Sequence, residues 1–498
     1  MAFLLLISTF LIAACGLIYE LLAGTLASYL LGDSVLQFST VIGSYLFAMG
    51  IGSFLSRYIG RGLVTRFVTI ELMVGLLGGF SSTILFVAFA YTQGFRLLLY
   101  VLVIFIGALV GLEIPLMMRI LKDRFEFRDL VAQVLTFDYL GALGASLVFP
   151  LWLVPQLGLV RGAIFFGILN AAVALWTTFL FEDRVGAALR LRVLCLLVMA
   201  AQGIGMAYST HILDIADSAL YADEVILART TKYQRIVLTK WKDDLRLFLN
   251  SHLQFSSRDE RRYHEALVHP GLSAVPGARR LLVLGGGDGL AVRELLKYPS
   301  VESITLVDLD PEMTHLFSTH PILKGLNQGS LTASRVKVIN ADAFPWLESH
   351  AGVYDFIVID FPDPTSYSLG KLYTTAFYRL MAKHLSEGGL AVAQSTSPLF
   401  ARQSFWSIAE TMKQAGLKVY PYHAYVPSFG EWGFMLAGRR DYQPPTHLPQ
   451  GLHFLTAAML PSLFQFPADM GAVPAEPNRL NDQVLVRYYE REWQAVAK

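Results

Sequence analysis

The stretch "LLVLGGGDGLAVREL", Leu281 to Leu295, decides the fold. An apolar run of strand length ends in three glycines, meets an aspartate and a further glycine, then continues with helical spacing. A strand that turns through glycines into a helix lets backbone approach a nucleotide closely. The acid inside the turn sets a condition on that ligand. Asp288 stands where a phosphate would rest against a helix N-terminus, and two anions repel. A pyrophosphate is a poor fit, and a nucleoside carrying positive charge is a good one.

The pattern around the turn agrees. "SITLVDLD", "VKVIN", "DFIVID" and "LAVAQS" read as strands. "LAVRELLKY", "KLYTTAFYRLMAKHL" and "FWSIAETMKQAG" read as helices between or after them. Strands alternating with helices predict a parallel sheet covered on both faces, with ligands at the carboxyl ends of its strands. Aspartates gather at those ends. Asp308 follows Asp288 by twenty residues and can accept both ribose hydroxyls. Asp342 in "VINADAF" can accept from an adenine amino group. Asp360 closes "FIVID", with Asp363 just beyond. A turn or helix cap explains any one of these acids, but not four on one rim. S-adenosylmethionine brings a sulfonium but also a carboxylate. Without that carboxylate its aminopropyl chain is dicationic, and Asp288 then selects it over the parent by charge.

Upstream, "EVILART", "YQRIVLTKW", "LRLFLN" and "HLQFS" alternate as small antiparallel hairpins, and "ERRYHEALVHPGL" reads as a helix. The chain of 498 residues is 54% hydrophobic and 16% charged, with a formal net charge of +1. Nothing in that balance suggests nucleic acid. Cys15 and Cys195 both lie in apolar runs, so neither a disulfide framework nor a metal site is expected. The hydrophobicity is concentrated in residues 1–208. Seven runs there reach the ~18 residues needed to cross a bilayer, near 3–30, 37–56, 68–90, 97–118, 132–154, 162–181 and 191–208. The first outruns a signal peptide and lacks a cationic start, so it reads as a retained helix.

One set of loops is basic: Arg57, Arg61 and Arg66; Arg119, Lys122, Arg124 and Arg128; Arg184, Arg190 and Arg192. The alternate set holds little beyond Arg96 and Arg161. This predicts a multi-pass protein of the cell (inner) membrane with its N-terminus inside and, after seven spans, the soluble half outside. Glu20, Glu71, Glu113 and Asp138 fall within the apolar runs, where acids are costly and mark functional sites by default. A cationic polyamine is one partner for them; helix–helix hydrogen bonding is the plainer explanation. Glu113 stands beside Pro115, where an interrupted helix can bind a cation.

In this order, "GGGDG", "VDLD", "NADAF" and D-x-x-D-P resemble the polyamine aminopropyltransferases, the spermidine synthase family. The similarity covers residues 224–440 and includes "KYQRIVL", "RRYHEALVHP" and "YPSVESITLVD". "GLIYELLAG" and "FDYLGALGASLVFPL" are similar to the multi-pass module fused to some bacterial members. The resemblance implies a membrane domain (1–208), a small β-hairpin domain (224–260), a Rossmann-like, methyltransferase-like domain (261–440) and a helical extension (441–498). It implies transfer of an aminopropyl group from decarboxylated S-adenosylmethionine, as co-substrate, to a diamine such as putrescine, with methylthioadenosine leaving. Asp360 would be the general base. Gln234, Gly285, Gly287, Asp288, Asp308, Asp342 and Ala343 would hold the nucleoside. Tyr263, His264, Asp288 and Asp363 would hold the amine, with Glu265 along the groove and Tyr425, Phe429 and Trp432 as apolar wall. Lipid bilayer and small molecules are the expected partners, with a homodimer as the expected form of any self-assembly. Because such a donor is made in the cytoplasm, the chemistry favours that side for the catalytic half, against the arginines.

Three departures from the family lie toward the acceptor. "TSYSLGKLY" follows the D-P pair, "FP" separates Asp360 from Asp363, and Phe429 stands where a tyrosine is common. Two other readings therefore stay open: a methyltransferase using the intact cofactor, and a polyamine transporter or sensor whose soluble domain only binds.

Overall fold

The computed structural model describes residues 2–31, 34–92, 94–122 and 126–496, so Arg124 lies outside the described residues. The chain divides into two compact units, Met1–Glu224 and Val225–Lys498.

The first unit is a helical bundle: α1 (Ala2–Leu31), α2 (Ser34–Leu55), α3 (Leu63–Tyr91), α4 (Phe95–Leu121), α5 (Phe127–Val148), α6 (Val154–Leu180) and α7 (Ala188–Leu220). Among the described residues, six helical stretches are long and apolar enough to cross a membrane, against the seven runs expected. The difference lies in Phe127–Leu180, where α5, a π-helical turn at Phe149–Leu153 and α6 run on as one 54-residue stretch. It breaks at Gly158, whose φ of 70° and ψ of −177° leave helical space. Beyond the break, α6 runs antiparallel to α3: Asn170 meets Glu71, and the Gly186 N–H at the far end reaches Thr65. It also runs antiparallel to α7, since Arg161 donates to Ser209 and Arg192 to the Thr178 hydroxyl. Glycines set the spacing: a Cβ on Gly52 of α2 would lie 2.0 Å from the Ala108 carbonyl of α4. Such close backbone approach suits bundles in lipid. α4 passes through Pro115 without interruption, contrary to expectation. Both cysteines are free and buried.

The second unit begins with a four-stranded sheet in sequential order: β1 (Glu224–Thr230), β2 (Arg235–Trp241), β3 (Asp244–Leu249) and β4 (His252–Ser256). Helix α8 (Glu260–Leu272) leads to a seven-stranded sheet. Its strands are β5 (Arg280–Gly285), β6 (Ser303–Asp308), β7 (Val336–Asn340), β8 (Tyr354–Asp360), β9 (Leu385–Gln394), β10 (Lys418–Val426) and β11 (Gly430–Gly438). Their order across the sheet is β10-β11-β9-β8-β5-β6-β7, with β5 to β9 parallel and β11 antiparallel to both its neighbours. Leu281, Val283, Ile304, Leu306, Phe356 and Val358 enter the core on one face. Leu282, Leu284, Val307, Ile357 and Ile359 enter it on the other. Burial on both faces explains the unbroken apolar runs of these strands.

From β5 the chain moves outward through β6 and β7, then returns to place β8 and β9 on the opposite side. Ligands bind outside the strand ends where the order reverses. There Gly285 pairs with Asp360, and one strand further along Asp308 pairs with Asn340.

Two features were not foreseen. The aromatic stretch at 425–434 is no simple loop but the turn of the β10–β11 hairpin, with Gly430 at φ 78°. Pro421 argues against a strand, and β10 tolerates it because it lies at the sheet edge. Within the helical extension expected over 441–498, the stretch "LHFLTAAMLPSLFQF" forms only a short turn at Ala457–Met459 and the single turn Leu460–Leu463, as Pro461 lacks the N–H a longer helix needs. The tail becomes a longer helix only at Val484–Val496.

Candidate active site

The glycine turn joins β5 to α9 (Leu290–Leu295). Gly285 and Gly286 have φ of 81° and 63°, where side chains are strained. A Cβ on Gly285 would lie 2.3 Å from the Asp360 carbonyl oxygen, and one on Gly287 would lie 2.7 Å from the Asp308 carboxyl carbon. The glycines thus let three strand ends converge. Asp308 accepts from the Gly287 N–H at 3.0 Å and the Asp310 N–H at 2.9 Å. Burial pushes its carboxyl up to about 6, with those two bonds opposing. Asp288 accepts from Leu290 N at 2.9 Å at the start of α9. Burial lifts it to about 6 as well, His264 opposing and Asp360 adding.

Asp360, at the end of β8, accepts from the Tyr263 hydroxyl at 2.6 Å. Burial raises its pKa against the pull of His264 and that bond. Asp363 accepts from three donors on two segments: Gln394 Nε2 at 3.2 Å and the Thr396 hydroxyl at 3.2 Å at the end of β9, and the Tyr489 hydroxyl at 2.9 Å. Burial still lifts it to about 6. Asp342 lies two residues past β7 and caps the helix Ala343–Ser349, accepting from Phe344 N at 3.0 Å. Its other oxygen takes the Lys371 ammonium at 2.6 Å. Ala343 is the buried first residue of that helix.

The pocket contains its own cation source. His264 Nδ1 lies 2.9 Å from Glu260 Oε2, and the same carboxylate receives Arg293 through bonds of 2.9 and 2.8 Å. Burial alone would lower the imidazole's pKa, but Glu260, then Asp288 and Asp360, hold it above its ordinary value. Glu260, Asp288 and Asp360 together thus favour the protonated form of this imidazole.

Of the residues singled out in the sequence, Asp288, Asp308, Asp360, Tyr263, His264, Gly285 and Gly287 form one connected rim. Asp363 adjoins it. Gln234 reaches it indirectly, donating at 3.0 Å to Asp310, the neighbour of Asp308. Phe429 packs on Tyr263 and Trp432 with ring centroids 6.2 and 4.9 Å apart. Tyr425 is instead 52% exposed. Glu265 is not in any groove: its carboxylate accepts from the backbone N–H groups of His453, Phe454 and Leu455 and pins the tail to α8. The pattern of α8 made this error natural, because neighbouring helical residues point to different faces.

Four partners escaped the sequence reading. Gln394 and Thr396 stand at the end of a parallel strand, where polar residues in "AVAQSTS" are a usable signal. Lys371 and Tyr489 carry none; Tyr489 lies 126 residues from the acid it touches.

Sheet order, glycine turn and buried acids define the class: a Rossmann-like domain with a nucleoside-type crevice. A family model, the spermine/spermidine synthase domain, matches residues 260–444. A polyamine aminopropyltransferase of Leptospira interrogans is 54% identical, over 98% of this chain and 98% of its own. Polyamine aminopropyltransferase 2 of Ralstonia nicotianae is 55% identical, over 99% of both chains. Among solved structures, spermidine synthase from Thermotoga maritima aligns with a TM-score of 0.45 and 24% identity, over 49% of this chain and 84% of that one. The chain belongs to the polyamine aminopropyltransferase family.

Proposed function

We propose that the enzyme transfers the aminopropyl group of decarboxylated S-adenosylmethionine to putrescine, giving spermidine and methylthioadenosine. The observation that carries this reading is the group of buried carboxyls at one rim, with Asp288 inside the glycine turn. They are expensive without a cation, and a nucleoside with both ammonium and sulfonium supplies two positive charges. Asp308 takes the ribose, Asp342 with Ala343 the adenine, and Asp288 the aminopropyl ammonium. Gln234 acts through Asp310 to steady the ribose loop.

The acceptor enters as an ammonium with a pKa near ~10. Asp360 takes one proton from it, held in place by Tyr263. The freed nitrogen pair forms the new C–N bond, and the C–S pair leaves on sulfur as neutral methylthioadenosine. A carboxyl with a raised pKa is the better base for this step. Asp363 holds the far ammonium, and Phe429 with Trp432 covers the methylenes. His264 offsets the acids until substrate arrives.

The bundle would anchor the enzyme in the cell (inner) membrane. The donor is made in the cytoplasm, which favours that side for the catalytic unit over the side implied by the arginines. A C-terminal reporter active only in the cytoplasm supports this; one active only outside reverses it.

The test of function gives the purified protein decarboxylated S-adenosylmethionine with a panel of amines and measures methylthioadenosine. Release that depends on putrescine supports the proposal. Methyl transfer from intact S-adenosylmethionine, or binding without turnover, overturns it. Asp360→Asn should lower turnover by about 10²–10⁴ while nucleoside binding persists.

A further inference from the structure

We propose that the core of the helical bundle holds a binding site for a primary ammonium group, built from Glu71, Glu113, Asn170 and Tyr19. These residues come from α3, α4, α6 and α1 and are at most 2% exposed. The Glu71 and Glu113 side chains hydrogen-bond each other, joining α3 to α4. Asn170 Nδ2 donates to Glu71 Oε2 at 3.1 Å, which fixes the amide against the pair. Tyr19 of α1 lies within the electrostatic reach of both carboxyls, its ring packed on Gly78 of α3.

The second, independent observation is what these groups lack. Glu71 Oε1, Glu113 Oε1, Asn170 Oδ1 and the Tyr19 hydroxyl are all buried without a hydrogen-bond partner. A buried unpaired polar atom costs about 1–3 kcal/mol, and the core of this bundle holds these four. Asn170 Oδ1 can only accept, and the two carboxyl oxygens accept whenever their groups are ionised. Neither carboxyl forms an ion pair with a lysine or arginine among the described residues. Three basic side chains near helix ends are engaged there: Arg119 on Ser56, Arg161 on Ser209 and Arg192 on Glu182.

The complement these atoms call for is a cation with several N–H donors. A primary ammonium brings three donors and needs three acceptors, which this set provides. A metal cation of the calcium or magnesium type takes six or more oxygens, and helix carbonyls are committed to their own backbone. Four acceptors fall short. Binding the ammonium makes no covalent change and favours the ionised form of the carboxyl it meets. That the ammonium belongs to an alkyl amine rests on the proposed acceptor; the demand for a donor-rich cation does not.

The test uses the full chain in lipid nanodiscs, carrying Asp360→Asn and Asp363→Asn to weaken amine capture at the catalytic rim. It is titrated with radiolabelled putrescine and, separately, methylamine. Saturable binding should remain and should weaken about tenfold or more when Glu71→Gln and Glu113→Gln are added. Asn170→Leu, which leaves both carboxyls in place, should weaken it several-fold and covers the case in which the double variant does not fold. Residual binding indifferent to these substitutions, or no residual binding, overturns the proposal. So does displacement of the amine by sodium chloride but not by choline chloride, which would mark a metal site. The catalytic reading is judged apart from this, by methylthioadenosine release in a chain with an unaltered rim.

Discussion

At the residue scale, three carboxyls near 6 make the site a proton reservoir. Asp288, Asp308 and Asp363 keep protons in the folded, unliganded protein up to about 6, against about 4 in the unfolded chain. Between those values the folded state binds more protons, so their contribution to stability falls as pH rises through the window. A dicationic nucleoside reverses the preference of the acids it meets. Its binding at pH near 6 should release protons, and much less at pH near 8, where the acids are already ionised. Calorimetry in two buffers of different ionisation enthalpy reads the proton count; uptake instead of release would contradict the assignment. Tyr489→Phe removes one of three donors from Asp363 and should raise the KM for the amine about tenfold, the worth of a bond to a charged group, with nucleoside affinity unchanged. An equal loss of both affinities would place Tyr489 in general structure rather than on the acceptor side.

At the element scale, the glycine turn leaves no freedom. Gly285→Ala adds a Cβ at 2.3 Å from the Asp360 carbonyl and at φ 81°. The backbone strain alone is about 1–3 kcal/mol, and relief would move Asp360. Loss of turnover should therefore exceed loss of nucleoside binding, as single-turnover kinetics would record. This element was the most legible part of the sequence, because strand, glycines and helix are contiguous and each leaves a local mark. Asp360 and Asp308 were legible for the same reason, being the last residues of apolar runs. Asp342 had to be read through its motif, two residues past its strand. The β10–β11 hairpin was hidden by Pro421. Glu265 was misplaced because a helix's sequence gives its faces only relative to one another, not which one meets the site. Tyr489 and Lys371 were illegible, since tertiary packing alone brings them to their acids.

At the scale of the whole molecule, the six long apolar stretches predict that the protein stays with membranes through high salt and alkaline wash and leaves only with detergent. Recovery in a wash supernatant would contradict that reading. The high-identity relatives match this chain almost end to end, bundle included, so bundle and catalytic unit are one inherited arrangement. The bundle's existence was plain from hydropathy, but the departure from helical angles at Gly158 was not. A glycine among many in a bundle carries no mark of its backbone angles.

The helix Val484–Val496 has one more consequence, in time instead of space. Its Tyr489 follows Asp363 by 126 residues, and Asp363 lacks that hydroxyl until the intervening chain has been made. The bundle is thus complete before Asp363 has its third donor, and a product truncated ahead of this helix would keep the bundle but not that bond.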